Sequence, residues 1–264
     1  MQFDKNEFTV NAGDKVVLTF KNVGELPKES MGHNVIVLFR AGHQARATEA
    51  DVARLEALNL ETVVDLRRVS ERRTQPSKRP DAFSGRVIEW DRGDDGEAPH
   101  ITFLKTAPLT EEGGRAFMMD TYRRLPFEDA HLDLFRRYFQ ALGEGSGAVL
   151  IHCAAGKDRT GLLAALTHHL LGVSHDEMME DYLLTNRAVD LEGRAASVAR
   201  QLQDWTGQPA SRAAVVAFLG VSPEFLDAAM DAMVEAHGSI DAYLEQALGV
   251  DAALRDRIGE RLSA

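Results

Sequence analysis

The sequence predicts an α/β fold in which helices flank a mainly parallel central sheet, with a β-hairpin at the N-terminus and a helical region at the C-terminus. Between residues 34 and 171, short apolar runs rich in Val, Ile and Leu alternate with longer amphipathic segments. Strands that alternate with helices are typical of parallel sheets, because parallel strands need long crossover connections. After residue 171 the apolar residues recur at helical spacing, which predicts the helical C-terminal region.

The first elements are a pair of short strands, a further strand and a helix. Polar and apolar residues alternate over Phe8–Val10 and Lys15–Lys21, on either side of an Asn-Ala-Gly-Asp turn. The apolar run Asn34–Phe39 predicts the next strand. Thr48 and Asp51 then have the spacing of a helix N-cap. The inner face of that helix carries Val52, Leu55 and Leu58.

The middle of the chain contains two more strands and two helices. The β-branched run Thr62–Leu66 and the run Arg86–Trp90 predict buried strands. Asp91–Pro99 is acidic and contains two glycines, so it predicts a loop. Glu111–Tyr122 and Ala130–Leu142 show the periodicity of helices.

The C-terminal third predicts a series of helices that are marked by capping residues. Ser174 and Glu177 have the spacing of a capping box. Further helices are expected to begin after Ser222, Ser239 and Asp251. Gly238 and Gly249 stand just past the ends of two of them, where glycine is favoured.

Composition limits the classes of function. The chain has 264 residues, of which 44% are apolar, so it can bury a substantial core. Its net charge of −11 argues against a nucleic-acid partner. No run of about 18 apolar residues predicts a membrane span, and no charged and then apolar leader follows Met1, so we expect no signal peptide. A single cysteine excludes an internal disulfide and predicts a reducing, cytoplasmic location.

That cysteine lies in the most informative segment, IHCAAGKDRTG. The apolar run Ala148–Ile151 predicts a strand that ends just before Cys153, and a helix is predicted from Gly161 to Leu171. Arg159 follows Cys153 by six positions, with Gly156 between them. This spacing can wrap backbone N–H groups around one phosphate, because glycine lets the backbone turn and a helix N-terminus attracts anions.

The side chains of this segment suit phosphoryl transfer. The loop N–H groups and the guanidinium of Arg159 favour the thiolate form of Cys153, which is the nucleophile. Arg159 can hold two phosphate oxygens at once. The Thr160 hydroxyl is placed to bond the sulfur, and Asp158 could protonate the leaving oxygen and then deprotonate water. We therefore predict a phosphatase that works through a phosphocysteine intermediate and needs no metal or other cofactor.

The segment resembles the signature of the bacterial atypical tyrosine phosphatases, whose members often also act on phosphoserine, phosphothreonine and phosphoinositides. Residues 38–43 (LFRAGH), 62–67 (TVVDLR) and 238–250 also resemble segments of that family. The resemblance runs from about residue 38 to the end of the sequence. It implies a cysteine-phosphatase-like domain over residues 38–264, with a phosphorylated protein or a phosphoinositide as substrate.

The resemblance also implies a role for each residue of the motif. Cys153 is the nucleophile, Arg159 is the phosphate clamp and Asp158 is the general acid. Lys157 resembles the lysine of lipid phosphatases that can meet a second phosphate. The substrate phosphate is expected to lie against Ala154, Ala155, Gly156, Lys157 and Thr160.

Four assignments have alternatives. An acid within residues 91–95 could replace Asp158. Asp65 could contact Arg159 or orient water, or it could have a structural role at the end of its strand. His152 is expected to brace the loop by hydrogen bonds rather than to act as a base. A basic cluster could attract a phosphorylated substrate or form a solvated loop; it comprises Arg67, Arg68, Arg72, Arg73, Lys78 and Arg79.

The first 37 residues depart from this family, which normally opens with an Asn-Phe-Arg-Asp-Leu-Gly-Gly hairpin. They instead resemble a cupredoxin fragment close to azurin, at residues 13–20 (GDKVVLTF) and 31–34 (MGHN). In azurins the histidine that corresponds to His33 is a copper ligand. The loop that carries the other ligands is absent here, so we expect no copper centre. Two joined signatures suggest a chimera, natural or constructed, with an azurin-like β segment over residues 1–37.

Two expectations follow from this N-terminal segment. A cupredoxin fragment lacks the sheet it normally packs on, so its strands would expose edges unless they pair with another copy. We therefore predict a homodimer, with or without exchange of the N-terminal strands. Because the usual N-terminal motif is replaced, the alternative function is a catalytically weak phosphate-binding or interaction module.

Overall fold

A computed structural model of the chain describes residues 38–93, 96, 98–188 and 191–262. The predicted strands at Phe8–Val10 and Lys15–Lys21, the azurin-like segment and His33 lie outside these residues. The homodimer was predicted from that segment and stays a prediction.

The described residues contain a four-stranded parallel sheet, which confirms the predicted α/β class. Its strands are β1 (Leu38–Ala41), β2 (Leu60–Asp65), β3 (Arg86–Glu89) and β4 (Ala148–His152), in the order β1-β4-β2-β3. The strand before the cysteine is therefore central, between β1 and β2. All four strands end at the same edge of the sheet, and a side chain at that edge can reach the loop after β4.

Among the described residues, six helices and a short 3₁₀ turn lie between β1 and residue 171. They are α1 (Glu49–Ala57), α2 (Val69–Thr74), α3 (Pro99–Thr106), α4 (Glu111–Arg124), the 3₁₀ turn (Leu125–Phe127), α5 (Asp129–Glu144) and α6 (Asp158–Leu170). The helical C-terminal region follows as α7 (His175–Ala188), α8 (Leu191–Thr206), α9 (Arg212–Leu219), α10 (Pro223–His237), α11 (Ile240–Gln246) and α12 (Ala252–Leu262).

Capping residues begin several helices where the sequence predicts them. The Thr48 and Ser239 hydroxyls accept the N–H groups of residues Asp51 and Ala242, at 3.2 and 3.0 Å. The Asp251 carboxylate accepts the Leu254 N–H at 2.8 Å. Ser222 makes no such bond, and α10 begins instead with a proline at its first position, where a missing N–H costs nothing.

Three boundaries differ from the prediction. A helix, α3, begins at Pro99 where we predicted only the end of a loop, and α2 interrupts the basic segment that we took as irregular. The helix after the cysteine begins at Asp158 rather than at Gly161. Gly161 therefore lies inside α6. A Cβ at this position would lie only 3.0 Å from the Tyr182 ring, so the absence of a side chain lets α7 pack closely against α6.

The sheet and the C-terminal helices share one apolar core. α5 contributes the rings Phe135, Tyr138 and Phe139, which are fully buried with the β4 residue Ile151. The Tyr243 hydroxyl of α11 donates to the carbonyl of Pro126 at 2.7 Å, which ties the C-terminal region to the 3₁₀ turn. The loop after β4 therefore stands on a closely packed scaffold.

No single helix in the part of the chain that the structure describes is long and apolar enough to cross a membrane. The helices α9 and α10, which meet at a bend of 41°, pass that test only as a pair and by length and composition alone.

Candidate active site

The loop after β4 turns tightly beneath the predicted nucleophile. Cys153 is 2% exposed, and the Gly156 N–H points to its sulfur at 3.2 Å. Gly156 has a φ of +73°, and a Cβ there would lie 2.6 Å from the carbonyl oxygen of Ala41. Only glycine fits this position, because both the left-handed backbone and the close approach of β1 exclude a side chain.

Arg40 of β1 braces the same loop from outside. Its Nε donates to the Gly156 carbonyl at 3.0 Å, and its Nη2 donates to the Thr185 hydroxyl of α7 at 2.7 Å. Asp181 lies 3.3 Å from the other end of the guanidinium. The sequence alone does not reveal this role of Arg40, although its segment, LFRAGH, carries part of the family resemblance.

Arg159 is held by a carboxylate that the sequence reasoning missed. Its two terminal nitrogens donate to the Glu71 carboxylate at 2.6 and 2.9 Å, and one of them also donates to the Leu66 carbonyl at 3.1 Å. The Arg68 N–H donates to Glu71 at 2.8 Å. This bond is one half of a capping box, but Arg68 has no side-chain acceptor for the other half, so the local sequence offers no clear helix signal and none for the distant Arg159.

The contact between Glu71 and Arg159 stabilises the charged form of both side chains. Burial alone would raise the pKa of Glu71, yet the hydrogen bonds and charge of Arg159 lower it to about 2. Burial works against the guanidinium of Arg159 as well, but its hydrogen bonds to the Glu71 carboxylate and the charge of that carboxylate raise its pKa above the ordinary value. The guanidinium therefore stays charged beside the sulfur.

Asp158 and Lys157 also line the cavity above the sulfur. The Tyr122 hydroxyl donates to the Asp158 carboxylate at 2.9 Å. The Lys157 ammonium donates to the carbonyls of Phe218 and Gly220, at 2.8 and 3.3 Å, where the C-terminus of α9 favours a cation. The lysine thus lines the cavity while its ammonium is bonded to protein carbonyls, and its contact with a second phosphate stays a prediction.

Asp65 has the structural role that we considered, and it pairs with Arg67 instead of contacting Arg159. Arg67 donates to both carboxylate oxygens, at 2.8 and 2.6 Å. Burial would raise the pKa of Asp65, but the hydrogen bonds and the positive charge of Arg67 lower it. The pair closes the end of β2 without reaching the cavity.

His152 is fully buried, and its ring has one hydrogen-bond contact with the start of the loop, so its bracing role stays a prediction. Its Nδ1 lies 3.4 Å from the carbonyl of Cys153, and its Nε2 lies 3.6 Å from Asp65. Burial lowers its pKa to about 4, so the ring is neutral at physiological pH. Thr160 is also fully buried, but its hydroxyl has no hydrogen-bond partner among the described residues, so the predicted bond to sulfur is absent from this structure.

A cavity of about 270 Å³ lies above this loop. Its floor is formed by loop residues, which are Cys153, Ala154, Ala155, Lys157, Asp158 and Arg159. Its apolar walls come from α3, α4, the 3₁₀ turn and α9, and comprise Pro99, Phe117, Met118, Leu125, Phe218 and Leu219. The Phe117 ring stacks on Phe103 with centroids 4.4 Å apart. An anion-binding floor under aromatic walls suits an aryl phosphate.

The predicted basic cluster is dispersed rather than gathered at the cavity. Of its members, only Arg68 lines the cavity. Arg67 is buried against Asp65, and Lys78 donates to the Ala47 carbonyl at 2.6 Å. Arg72 donates at 2.6 Å to Asp91, one of the alternative acids.

The loop with the alternative acids, residues 91–95, contributes no described residue to the lining of the cavity. Asp91 is 71% exposed at its side chain and does not line the cavity. Asp94 and Asp95 lie outside the described residues. Among the described residues, Asp158 is the aspartate that stands beside the sulfur and the clamp arginine.

Comparisons with known proteins agree with this geometry. A model described as the tyrosine phosphatase family matches residues 18–264, and so begins within the first 37 residues. The chain is 32% identical over 219 residues to a Cupriavidus necator protein named as a tyrosine-protein phosphatase, covering 82% of this chain and 76% of that protein. It is also 32% identical over 251 residues to the triple specificity protein phosphatase PtpB of Mycobacterium tuberculosis, covering 84% of this chain and 88% of that protein.

Proposed function

Because the chain belongs to the tyrosine phosphatase family, we propose that it hydrolyses phosphotyrosine esters through a covalent phosphocysteine intermediate. One observation carries the proposal: the Cys153 sulfur lies at the floor of a cavity with aromatic walls, within the loop that turns at Gly156 and that also carries Arg159. This is the arrangement that a thiolate needs to attack a bound phosphate in line.

The reaction that we propose has two steps. The phosphate displaces the Glu71 carboxylate from Arg159 and binds the loop N–H groups. The sulfur then attacks phosphorus, the ester P–O bond breaks, and Asp158 gives a proton to the leaving oxygen. In the second step Asp158 takes a proton from water, the water oxygen attacks phosphorus, and the S–P bond breaks to release phosphate and thiolate.

The range of substrates is the finer part of the proposal. The apolar walls formed by Phe117 and Phe218 favour an aromatic leaving group, which supports phosphotyrosine as the main substrate. The Mycobacterium tuberculosis relative is named for triple specificity, and we extend the proposal to phosphoserine and phosphothreonine. The ammonium of Lys157 at the cavity supports phosphoinositides as further substrates. We also propose that the protein acts in the cytoplasm as a homodimer.

The test is hydrolysis of p-nitrophenyl phosphate by the chain and by Cys153→Ser. We expect the substitution to lower kcat by about 10³-fold or more, because serine lacks an ionised nucleophile at neutral pH. Rapid quenching in acid should trap a phosphorylated wild-type protein and none of the variant. Equal rates, or no turnover by either protein while phosphate still binds, would favour the phosphate-binding module instead.

A further inference from the structure

The two carboxylate oxygens of Asp158 have different surroundings. Oδ1 accepts the Tyr122 hydroxyl at 2.9 Å and lies 3.5 Å from the Lys157 ammonium. Oδ2 has no hydrogen-bond donor among the described residues, and the residue lines the cavity. One oxygen is therefore held by the protein, and the other is available to a ligand.

The tyrosine that holds Oδ1 is itself held by a second tyrosine. The hydroxyls of Tyr122 in α4 and Tyr182 in α7 are 2.6 Å apart, and both side chains are buried. Burial and the negative charge of Asp158 raise the pKa of each phenol above its ordinary value, so both stay protonated. A phenol has a single O–H, and Tyr122 uses it in the hydrogen bond to Oδ1, so Tyr182 donates to the oxygen of Tyr122.

Packing fixes the position of both phenols. The Tyr122 ring lies 5.7 Å from the ring of Phe225 and meets the Tyr182 ring edge-on at 6.4 Å. The Tyr182 ring lies against Gly161 of α6, where a Cβ would approach it to 3.0 Å. The helices α4 and α7 thus place the Tyr122 hydroxyl against Oδ1 of Asp158, which lies in the first turn of α6.

We propose that Tyr122 is the positioning residue of the proton-transfer group Asp158, and that Tyr182 supports it. This inference rests on the proposed function. With Oδ1 fixed, Oδ2 carries the proton that passes to the leaving oxygen as the P–O bond breaks, and it later takes the proton of the attacking water. The proton of Tyr122 stays on Tyr122 throughout.

Tyr122 and the neighbouring cations compete for the Asp158 carboxylate. Without the Tyr122 hydroxyl, Oδ1 keeps only the ammonium of Lys157, which already donates to two carbonyls of the α9 end. The positive charge of Arg159 also attracts Asp158. We therefore expect a freed carboxylate to turn towards these cations, and its proton to miss the leaving oxygen.

The experiment is a double-mutant cycle with Tyr122→Phe, Asp158→Asn and both together, measured on p-nitrophenyl phosphate and on phenyl phosphate. Phenolate is the poorer leaving group and depends more on a proton donor. We expect Tyr122→Phe to lower kcat about ten-fold on phenyl phosphate and about two-fold on p-nitrophenyl phosphate. In the Asp158→Asn background it should have no further effect, since the group through which it acts is gone.

The matched control is Tyr138→Phe, which also removes a buried hydroxyl, bonded at 2.9 Å to Thr167 in the core. It should leave the ratio of the two substrates unchanged, whereas Tyr182→Phe should change it in the same direction as Tyr122→Phe and by less. An equal loss from Tyr122→Phe in both backgrounds, or on both substrates, would overturn the inference. If Asp158→Asn is fully active while Cys153→Ser is inactive, the inference fails and the function stands; if wild-type hydrolysis does not depend on Cys153, both fail.

Discussion

Two carboxylate–guanidinium pairs at the same edge of the sheet have similar geometry and different surroundings. Asp65 and Arg67, at the end of β2, are 1% and 2% exposed, and Arg67 also donates to the Gln75 carbonyl at 2.6 Å and the Ser77 hydroxyl at 2.9 Å. Glu71 and Arg159 are 14% and 16% exposed, and both line the cavity.

The difference separates a structural pair from an exchangeable one. Arg67 is surrounded by protein acceptors, so removing its partner would leave a buried charge uncompensated. Arg159 faces a space large enough for a phosphate, which offers the same two-oxygen geometry as the carboxylate that now holds it. We expect substitutions in the first pair to change stability alone. Substitutions in the second should change substrate binding or catalysis, and they should also change stability where the charge of Glu71 is removed.

The largest effect is expected from Arg159→Lys. Lysine keeps the charge but loses the fork that grips two phosphate oxygens in the transition state, so kcat/KM on p-nitrophenyl phosphate should fall about 10³-fold. The thermal midpoint should change less than in Arg67→Ala, because lysine keeps a positive charge beside Glu71. A variant that unfolds readily, or one that keeps wild-type kcat/KM, would remove the contrast with Arg67.

Arg67→Ala should act on stability instead. It leaves Asp65 buried without its partner, which costs roughly 3–5 kcal/mol in the free energy of unfolding. Urea unfolding followed by circular dichroism measures this cost. Arg54→Ala is the control, because it removes an exposed pair with Asp51 and should cost less than about 1 kcal/mol. A loss as small as that of the control would show that the β2 pair is not structural.

The smallest effect is expected from Glu71→Gln. The amide still accepts the Arg68 N–H but no longer competes as an anion for Arg159, so KM for p-nitrophenyl phosphate should fall about three-fold with kcat little changed. Glu61→Gln is the control, because Glu61 bonds Ser146 away from the cavity. A rise in KM would mean that Glu71 presents the guanidinium to phosphate rather than competing with it.

The same variant tests the acid dependence of stability. The pKa of Glu71 is lowered from 4.5 to about 2, so the pair stabilises the fold fully above about pH 4.5 and loses this contribution as the pH falls towards 2. The wild-type chain should therefore be more stable than Glu71→Gln at neutral pH, and the two unfolding midpoints should converge between these values. Parallel curves over that range would contradict the lowered pKa.

Local patterns predicted well wherever their interactions are local. The caps at Thr48, Ser239 and Asp251 lie three residues from the N–H groups they accept, and β2 and β4 are short apolar runs bounded by polar residues. The helix α3 was missed because its start looks like the end of an acidic loop. Its packing against α8 and against the Phe117 ring, which supports it, joins residues far apart in sequence.

In the cavity, too, the sequence predicted the residues of one continuous segment and missed those that come from other elements. The order Cys153, Gly156 and Arg159 follows from one continuous segment, because a phosphate-sized loop is built from consecutive backbone groups. Glu71, Arg40 and Tyr122 were not found, since each meets that segment from another element. For Asp65 the sequence left two roles open, and the structure shows a pair with Arg67, which stands only two positions away.

The amino-acid order alone determined the α/β class and the family, together with the segment that carries the sulfur and the clamp arginine, because periodicity and loop spacing are properties of neighbouring residues. Only the tertiary structure decided which carboxylate pairs with which arginine, which oxygen of Asp158 is held, and what encloses the cavity. Those outcomes depend on burial and on distances between separate helices and strands, and burial sets the strength of each charge interaction.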